Sequence, residues 1–211
     1  MVANTARRGS VRRYAQRVFV YITGVPGSGK STVCAELQAC GFACVDADDD
    51  IGAWVSRETG ETLQNPPAFE ARTPEFYEQH DWRYQADKAE QLAASHAAMA
   101  CFVGGCGGGE DEISHLFAKA FFLHVGADEL RHRLLTRTNG PFANASHAVR
   151  AAQVERVLPH LAALEETWLR NGFEMVSSMQ PLTDVVEDIL LCCGLPLGAS
   201  KTAARRVQSG E

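Results

Sequence analysis

No apolar run in the sequence approaches the roughly 18–20 residues that a membrane-spanning helix needs, so a helical span is excluded. Paired thiols and imidazoles at the short spacings of a zinc site are missing as well. Cys34, Cys40, Cys44, Cys101, Cys106, Cys192 and Cys193 are odd in number and form no C-x-x-C pair. They read as small buried hydrophobes of a reduced, cytoplasmic protein rather than a disulfide framework. Nothing recurs at a period of roughly 20–50 residues, which excludes a repeat array. An excess of positive charge is absent too: 20 Lys+Arg stand against 26 Asp+Glu, a net charge of −6. That balance argues against nucleic acid or another polyanion as the partner. Locally the sign reverses, because no acidic residue precedes Glu36 while Arg7, Arg8, Arg12, Arg13 and Arg17 do. Residues 1–17 lack the apolar middle of a secretory signal and read as a basic, disordered terminal arm.

What is present is a core of ordinary size. The 211 residues are 45% hydrophobic and 22% charged, which fits one α/β domain. Short β-branched and aromatic runs at 18–24, 42–47, 99–105, 120–126 and 173–178 predict five strands. Helix formers predict helices over 31–40, 51–58, 75–98, 110–118, 128–137 and 184–191. Val154, Val157, Leu161, Leu164 and Trp168 add a further helix, broken or kinked at Pro159. Strands alternating with helices imply a parallel sheet covered on both faces. Residues 18–193 are expected to form one domain, the polar Gly/Pro/Asn stretch 138–148 a lid, and 194–211 a disordered tail.

One motif dominates. Gly24, Val25, Pro26, Gly27, Ser28, Gly29, Lys30, Ser31 and Thr32 satisfy G-x-x-x-x-G-K-[ST], between an expected strand and an expected helix. Glycines let the backbone turn tightly and aim its N–H groups at phosphate oxygens, and the helix N-terminus adds a positive dipole end. In this pattern Lys30 reaches the β- and γ-phosphates of ATP, and the Ser31 hydroxyl ligates Mg²⁺. The second strand ends in Asp46, Ala47, Asp48, at the carboxyl edge where an open parallel sheet holds its ligand. Two carboxylates one residue apart there suit Mg²⁺ and a substrate hydroxyl; a helix cap is the other reading. Arg133 and Arg137, four apart on one helix, suit the transferred phosphoryl group or a solvated helix face. Arg83 suits an anionic group of the acceptor or a surface ion pair.

Several pieces resemble the small P-loop kinases of the adenylate kinase, shikimate kinase and gluconate kinase group. They are GVPGSGKST, the strand-end DAD, the glycine run from Gly104 to Gly109, RHRLLTR and the closing SSMQPLTDVVEDIL, spread over residues 18–192. The resemblance implies a P-loop NTPase fold of three layers, with a five-stranded parallel sheet and a lid loop. It implies Asp46 near Mg²⁺, Asp48 on the acceptor hydroxyl, Gly104 and Gly105 on the substrate side and Arg137 on the nucleotide. Residues 178–181 would border the adenine. The chain departs from the group in the Asp-Asp-Ile-Gly after DAD, in Cys106 within the glycine run, and in the absence of arginines between 138 and 149.

The expectation is therefore an ATP- and Mg²⁺-dependent kinase of a small-molecule acceptor, a hydroxyl-bearing metabolite, nucleoside or nucleotide, with no membrane partner. Its catalytic set would be Lys30, Asp48, Arg133 and Arg137, and its acceptor side would add Arg83. The rival readings are a regulatory ATPase acting through a protein partner and a nucleic-acid end kinase. The oligomeric state is left open.

Overall fold

A strand whose side chains are almost all apolar must be covered on both faces, and β1 (Phe19–Thr23) lies at the centre of the sheet. The computed structural model describes residues 18–68, 71–137 and 145–196. The basic arm (1–17), residues 138–144 of the expected lid and residues 197–211 of the tail lie outside the described residues. After β1 come α1 (Lys30–Ala39), β2 (Ala43–Asp46), α2 (Ala47–Asp50), β3 (Gly52–Ser56) and α3 (Pro74–Gln79). Next are β4 (His80–Tyr84), α4 (Ala86–Ser95), β5 (Cys101–Gly104), α5 (Glu110–Ile113) and β6 (Lys119–His124). The chain continues through α6 (Ala127–Thr136), α7 (His147–Val157), α8 (Leu161–Arg170), β7 (Glu174–Ser177) and α9 (Leu182–Cys192).

The main sheet has the order β2-β5-β1-β6-β7, and every pairing in it is parallel, as expected. Alternation along β1 sends Val20 and Ile22 to one face, into a core with Val33, Leu37 and Ile189. Tyr21 points to the other face, into a core with Phe122, Leu130 and Trp168. Helices thus cover both faces. The break at Pro159 is a 3-10 turn over residues 158–160 between α7 and α8. Ser146 caps α7 by accepting from the Val149 N–H at 3.3 Å, so residues 147 and 148 belong to a helix rather than the expected lid. Leu195, placed in the expected tail, is buried in the core with Val20 and Ile22. All seven cysteines are free thiols.

Two expected helices are wrong in kind. Residues 52–56 form β3 instead of a helix over 51–58, and the long helix over 75–98 is α3, β4 and α4. β3 and β4 pair antiparallel, with Trp54 opposite Trp82 and ring centroids 5.3 Å apart. Such aromatic cross-strand pairs stabilise a hairpin beyond what local propensity predicts. The helix formers on either side mask a five-residue strand whose alternate residues, Trp82 and Tyr84, suit a strand better than a helix.

β4 is also fastened to the glycine run after β5. Tyr84 N–H donates to the Gly108 carbonyl at 2.9 Å, and Gly108 N–H donates to the Trp82 carbonyl at 2.9 Å. Between those bonds the Tyr84 ring fills a slot that side chains would close. A Cβ at Gly105 would stand 2.2 Å from the Tyr84 hydroxyl and 2.6 Å from the Ala47 Cβ; one at Gly107 would stand 2.9 Å from the ring. Gly105→Ala is therefore expected to destabilise the fold by about 1–3 kcal/mol, the usual range for overpacking, read as a lowered urea midpoint. An unchanged midpoint would mean that the ring is free to leave the slot.

Candidate active site

The P-loop sits where β1 ends and α1 begins. A backbone turn closes with Ser28 N–H donating to the Val25 carbonyl at 3.0 Å. Gly29 is the N-cap of α1 at φ 106°, a left-handed conformation that side-chain-bearing residues rarely adopt. The free N–H groups of the first helical turn follow it directly. Lys30 Nζ donates to the carbonyls of Gly24 at 2.6 Å and Val25 at 3.2 Å, so the ammonium lies across the mouth of the loop. A cleft of about 650 Å³ opens there. Pro26, Gly27, Ser28, Gly29, Lys30, Ser31 and Thr32 form one wall, and Arg133, Arg137 and Ser178 another. Gly24 and Val25 lie behind the wall and contribute carbonyls to Lys30.

A second hollow, of about 210 Å³, adjoins the first. Asp46, Gly104 and Gly105 line it, and Lys30, Ser31 and Asp48 line both hollows. The two carboxylates of the DAD segment are held differently. Asp46 is the N-cap of α2, its Oδ1 accepting the Asp48 N–H at 3.0 Å. Burial, together with the nearby charges of Asp48 and Asp49, holds its carboxyl above the usual range against those backbone bonds. Asp48 caps nothing. Its Oδ1 instead accepts from the Trp82 indole N–H at 3.2 Å and lies 3.4 Å from the Tyr84 hydroxyl.

Arg133 bridges several parts of the cleft. Its Nε donates to Glu129 at 2.7 Å, Nη1 to the Ser28 carbonyl at 3.3 Å and the Ser178 hydroxyl at 3.2 Å, and Nη2 to the Ser178 carbonyl at 3.0 Å. Ser178 is itself anchored, its hydroxyl donating to the His124 carbonyl at 2.9 Å. One guanidinium thus ties the P-loop to the ends of β6 and β7. Arg137, at the C-cap of α6, lines the same cleft, and burial lowers the proton affinity of its guanidinium. Arg83 is not brought to either hollow. It lies on β4, where Nη2 pairs with Glu112 at the surface, an arrangement of little energetic weight.

Two groups escaped sequence reasoning. Cys106 lines the cleft, and burial pushes its thiol up, so it stays protonated beside Lys30. Glu110, which opens α5, accepts from Tyr21 at 2.7 Å, Thr23 at 3.1 Å and the Trp168 indole at 3.1 Å. Burial raises its carboxyl above the ordinary range, and the three donors oppose that shift. Only the position of an acid at a helix start was visible in the sequence; its partners lie 58 to 89 positions away.

Oxygen donors from Ser31 and Asp46 beside one hollow suit Mg²⁺, a hard cation that keeps several waters and takes few protein ligands. Among the described residues no three His, Cys, Asp or Glu side chains converge as a metal-binding group. No helix there is long and apolar enough to cross a membrane.

A family model described as an AAA domain matches residues 20–152. A search of curated proteins returns no match to the sequence. Among solved structures, shikimate kinase from Acinetobacter baumannii in complex with shikimate is 18% identical, with a TM-score of 0.52. The match covers 85% of this chain and 94% of that one. A gluconokinase from Sinorhizobium meliloti 1021 is 19% identical over 92% of this chain and 98% of its own, with a TM-score of 0.41. Together with the parallel sheet and the P-loop, the family match and the likeness to shikimate kinase establish a P-loop NTPase α/β fold.

The Arg133 clamp leads to a direct expectation. Arg133→Lys keeps the charge but loses the planar fork that reaches four acceptor atoms on three residues. It is expected to weaken ATP binding about tenfold in calorimetry and to speed amide exchange at residues 28–30. Unchanged exchange there would show that the loop holds its shape without the clamp.

Proposed function

The chain belongs to the AAA domain family, and on that premise we propose that it is an ATP-dependent kinase, with Mg²⁺, acting on a hydroxyl of a small molecule. One observation carries the reading: Lys30, Ser31 and Asp48 line both hollows, so the phosphate cradle and a non-capping carboxylate meet at one place. The larger hollow has the room and the cationic walls for a nucleotide, and the smaller lies against the carboxyl edge of β2 and β5.

In this reading the P-loop N–H groups and Lys30 bind the phosphates and offset charge on the transferred group. Mg²⁺, when bound through Ser31 and Asp46, neutralises phosphate charge and orients the chain of phosphates. Asp48 orients the acceptor hydroxyl and takes its proton as the oxygen bonds to the γ-phosphorus and the bond to the β-phosphate oxygen breaks, releasing ADP. Arg137 faces the nucleotide, and Arg133 holds the loop in shape. Gly104 and Gly105 serve the acceptor side indirectly, by leaving space for Cys34 and Tyr84. The metabolite that supplies the hydroxyl is to be found by experiment: incubation with γ-labelled ATP and a metabolite extract, followed by isolation of a labelled small product. Release of inorganic phosphate alone would favour the regulatory ATPase.

Lys30→Ala is expected to lower labelled-product formation at least about 10²-fold while leaving the circular dichroism unchanged. Wild-type turnover by that variant would remove the kinase assignment.

Asp48→Asn should preserve ATP affinity and reduce kcat by about 10²–10⁴-fold, since an amide is a poor proton acceptor. Asp46→Asn, which can still cap α2, should instead raise the Mg²⁺ concentration needed for half-maximal rate. The paired titrations separate the two roles; identical behaviour of both variants would refute the division of labour.

A further inference from the structure

Behind Asp48 the acceptor edge of the cleft runs into the protein as a line of polar groups that the kinase reading does not use. Tyr84 Oη lies 3.4 Å from Asp48 Oδ1 and 3.3 Å from Tyr21 Oη; Tyr21 Oη lies 2.7 Å from Glu110 Oε1. Both tyrosines are at most 2% exposed, and their rings meet edge to face at 6.2 Å between centroids. Resting on that kinase reading, we propose that Tyr84 is a positioning residue for phosphoryl transfer. With the Tyr21 proton committed to Glu110, the Tyr84 hydroxyl donates to Asp48 and fixes its carboxylate toward the acceptor.

Proton counting gives the chain its direction. Tyr21 has one hydroxyl proton and two acceptors in reach. The nearer, Glu110, takes it at an ideal distance, while the Tyr84 oxygen is 3.3 Å away. Glu110 accepts from Thr23 and Trp168 as well. The Tyr21 oxygen is thereby fixed as an acceptor, and the Tyr84 proton lies between it and Asp48. A carboxylate oxygen is a stronger acceptor than a phenol oxygen, which favours Asp48. The chain is tight at its buried end and long at the cleft, where a catalytic contact commonly shortens once substrate is bound.

Sterics leave Tyr84 no other place. The missing side chains of Gly105 and Gly107 make its slot, and backbone bonds to Gly108 fix β4 on the far side. Trp82, two residues before it on the same strand, supplies the second donor to the same Asp48 oxygen. A ring this enclosed adds no freedom of its own to the carboxylate it holds. Positioning of a reacting group is the kind of contribution that appears in kcat and leaves nucleotide affinity untouched.

The test uses the full chain with four variants, Tyr84→Phe, Tyr21→Phe, Asp48→Asn and the double variant Tyr84→Phe with Asp48→Asn. Labelled-product formation from γ-labelled ATP and metabolite extract is measured beside ATP affinity, and the Trp82 indole N–H is followed by NMR. Tyr84→Phe keeps the ring in its slot. It is expected to lower turnover about tenfold, the scale of one hydrogen bond to a charged group, with unchanged ATP affinity. Added to Asp48→Asn it should cost nothing further, because its effect passes through that carboxylate. The Trp82 indole signal should move in Tyr84→Phe and stay near its wild-type position in Tyr21→Phe, which removes only the acceptor that competes with Asp48 and should keep most of the turnover. Full turnover by Tyr84→Phe, full additivity with Asp48→Asn, or an indole signal unmoved in Tyr84→Phe would each overturn the proposal while the kinase reading stands. Absence of any labelled product from the wild-type chain would overturn both.

Discussion

A phenol ring stands where the side chains of Gly105 and Gly107 would be, and the acceptor half of the cleft follows from that substitution of space. Because the slot admits the Tyr84 ring, β4 can lie close enough to exchange backbone bonds with Gly108. Because β4 lies there, Trp82 and Tyr84 face Asp48 from one side. The same closeness constrains β3: a Cβ on Gly52 would be 2.3 Å from the Trp82 ring, so the hairpin packs tightly only with glycine at that position. Burying one aromatic side chain contributes roughly 1.5–3 kcal/mol, enough to commit a five-residue strand that lacks a wide sheet of its own. The glycine run is thus primarily a packing device. In the proposed reading Gly105 and Gly107 act on the acceptor through a tyrosine.

The nucleotide half is organised on the opposite principle, by charge and backbone amides. Arg133 spends its donors on Glu129, Ser28 and Ser178, so it acts as a strut across the loop and the ends of two strands. Lys30 lies between the halves, bound to carbonyls of its own loop and bordering both hollows. Exposed charges alone would be screened by water and salt; a guanidinium with several fixed acceptors is held where preorganisation counts. The cleft therefore brings the cations Lys30, Arg133 and Arg137 together with the Asp48 carboxylate, the combination that the proposed transfer from phosphate to hydroxyl requires.

How much of this was legible depends on how local the information is. The cradle was fully legible, since its turn, its glycines and its helix start are consecutive residues with their own chemistry. The parallel sheet was legible too, because strands buried on both faces are continuous apolar runs such as VFVYIT. β3 and β4 were not. Each is short, flanked by helix formers, and stabilised by the other and by a glycine run more than 20 positions on, none of which a local window contains. Asp46 and Asp48 were found as a pair, but which one caps α2 was decided only by the backbone after β2. Arg83 suited an anionic group of the acceptor or a surface ion pair, and β4 places it in the ion pair, with Glu112. Glu110 carried no usable signal, as its significance lies in Tyr21, Thr23 and Trp168 converging from two distant elements.

The same reasoning accounts for the residue that interrupts the glycines. Position 106 faces the cleft between Gly105 and Gly107, whose own space belongs to Tyr84, so one side chain fits there and must be small. Its neighbours are the Lys30 ammonium and the carboxylates of Asp48 and Glu110, each close enough to influence its ionisation. A carboxylate at that point would compete for Lys30 and repel the other two, and a cation would draw Asp48 away from Tyr84 and Trp82. A thiol pushed upward by burial stays neutral and fills the gap without entering the charge balance. Cysteine at 106 therefore keeps the ammonium available to phosphate and leaves Asp48 to its two donors on β4.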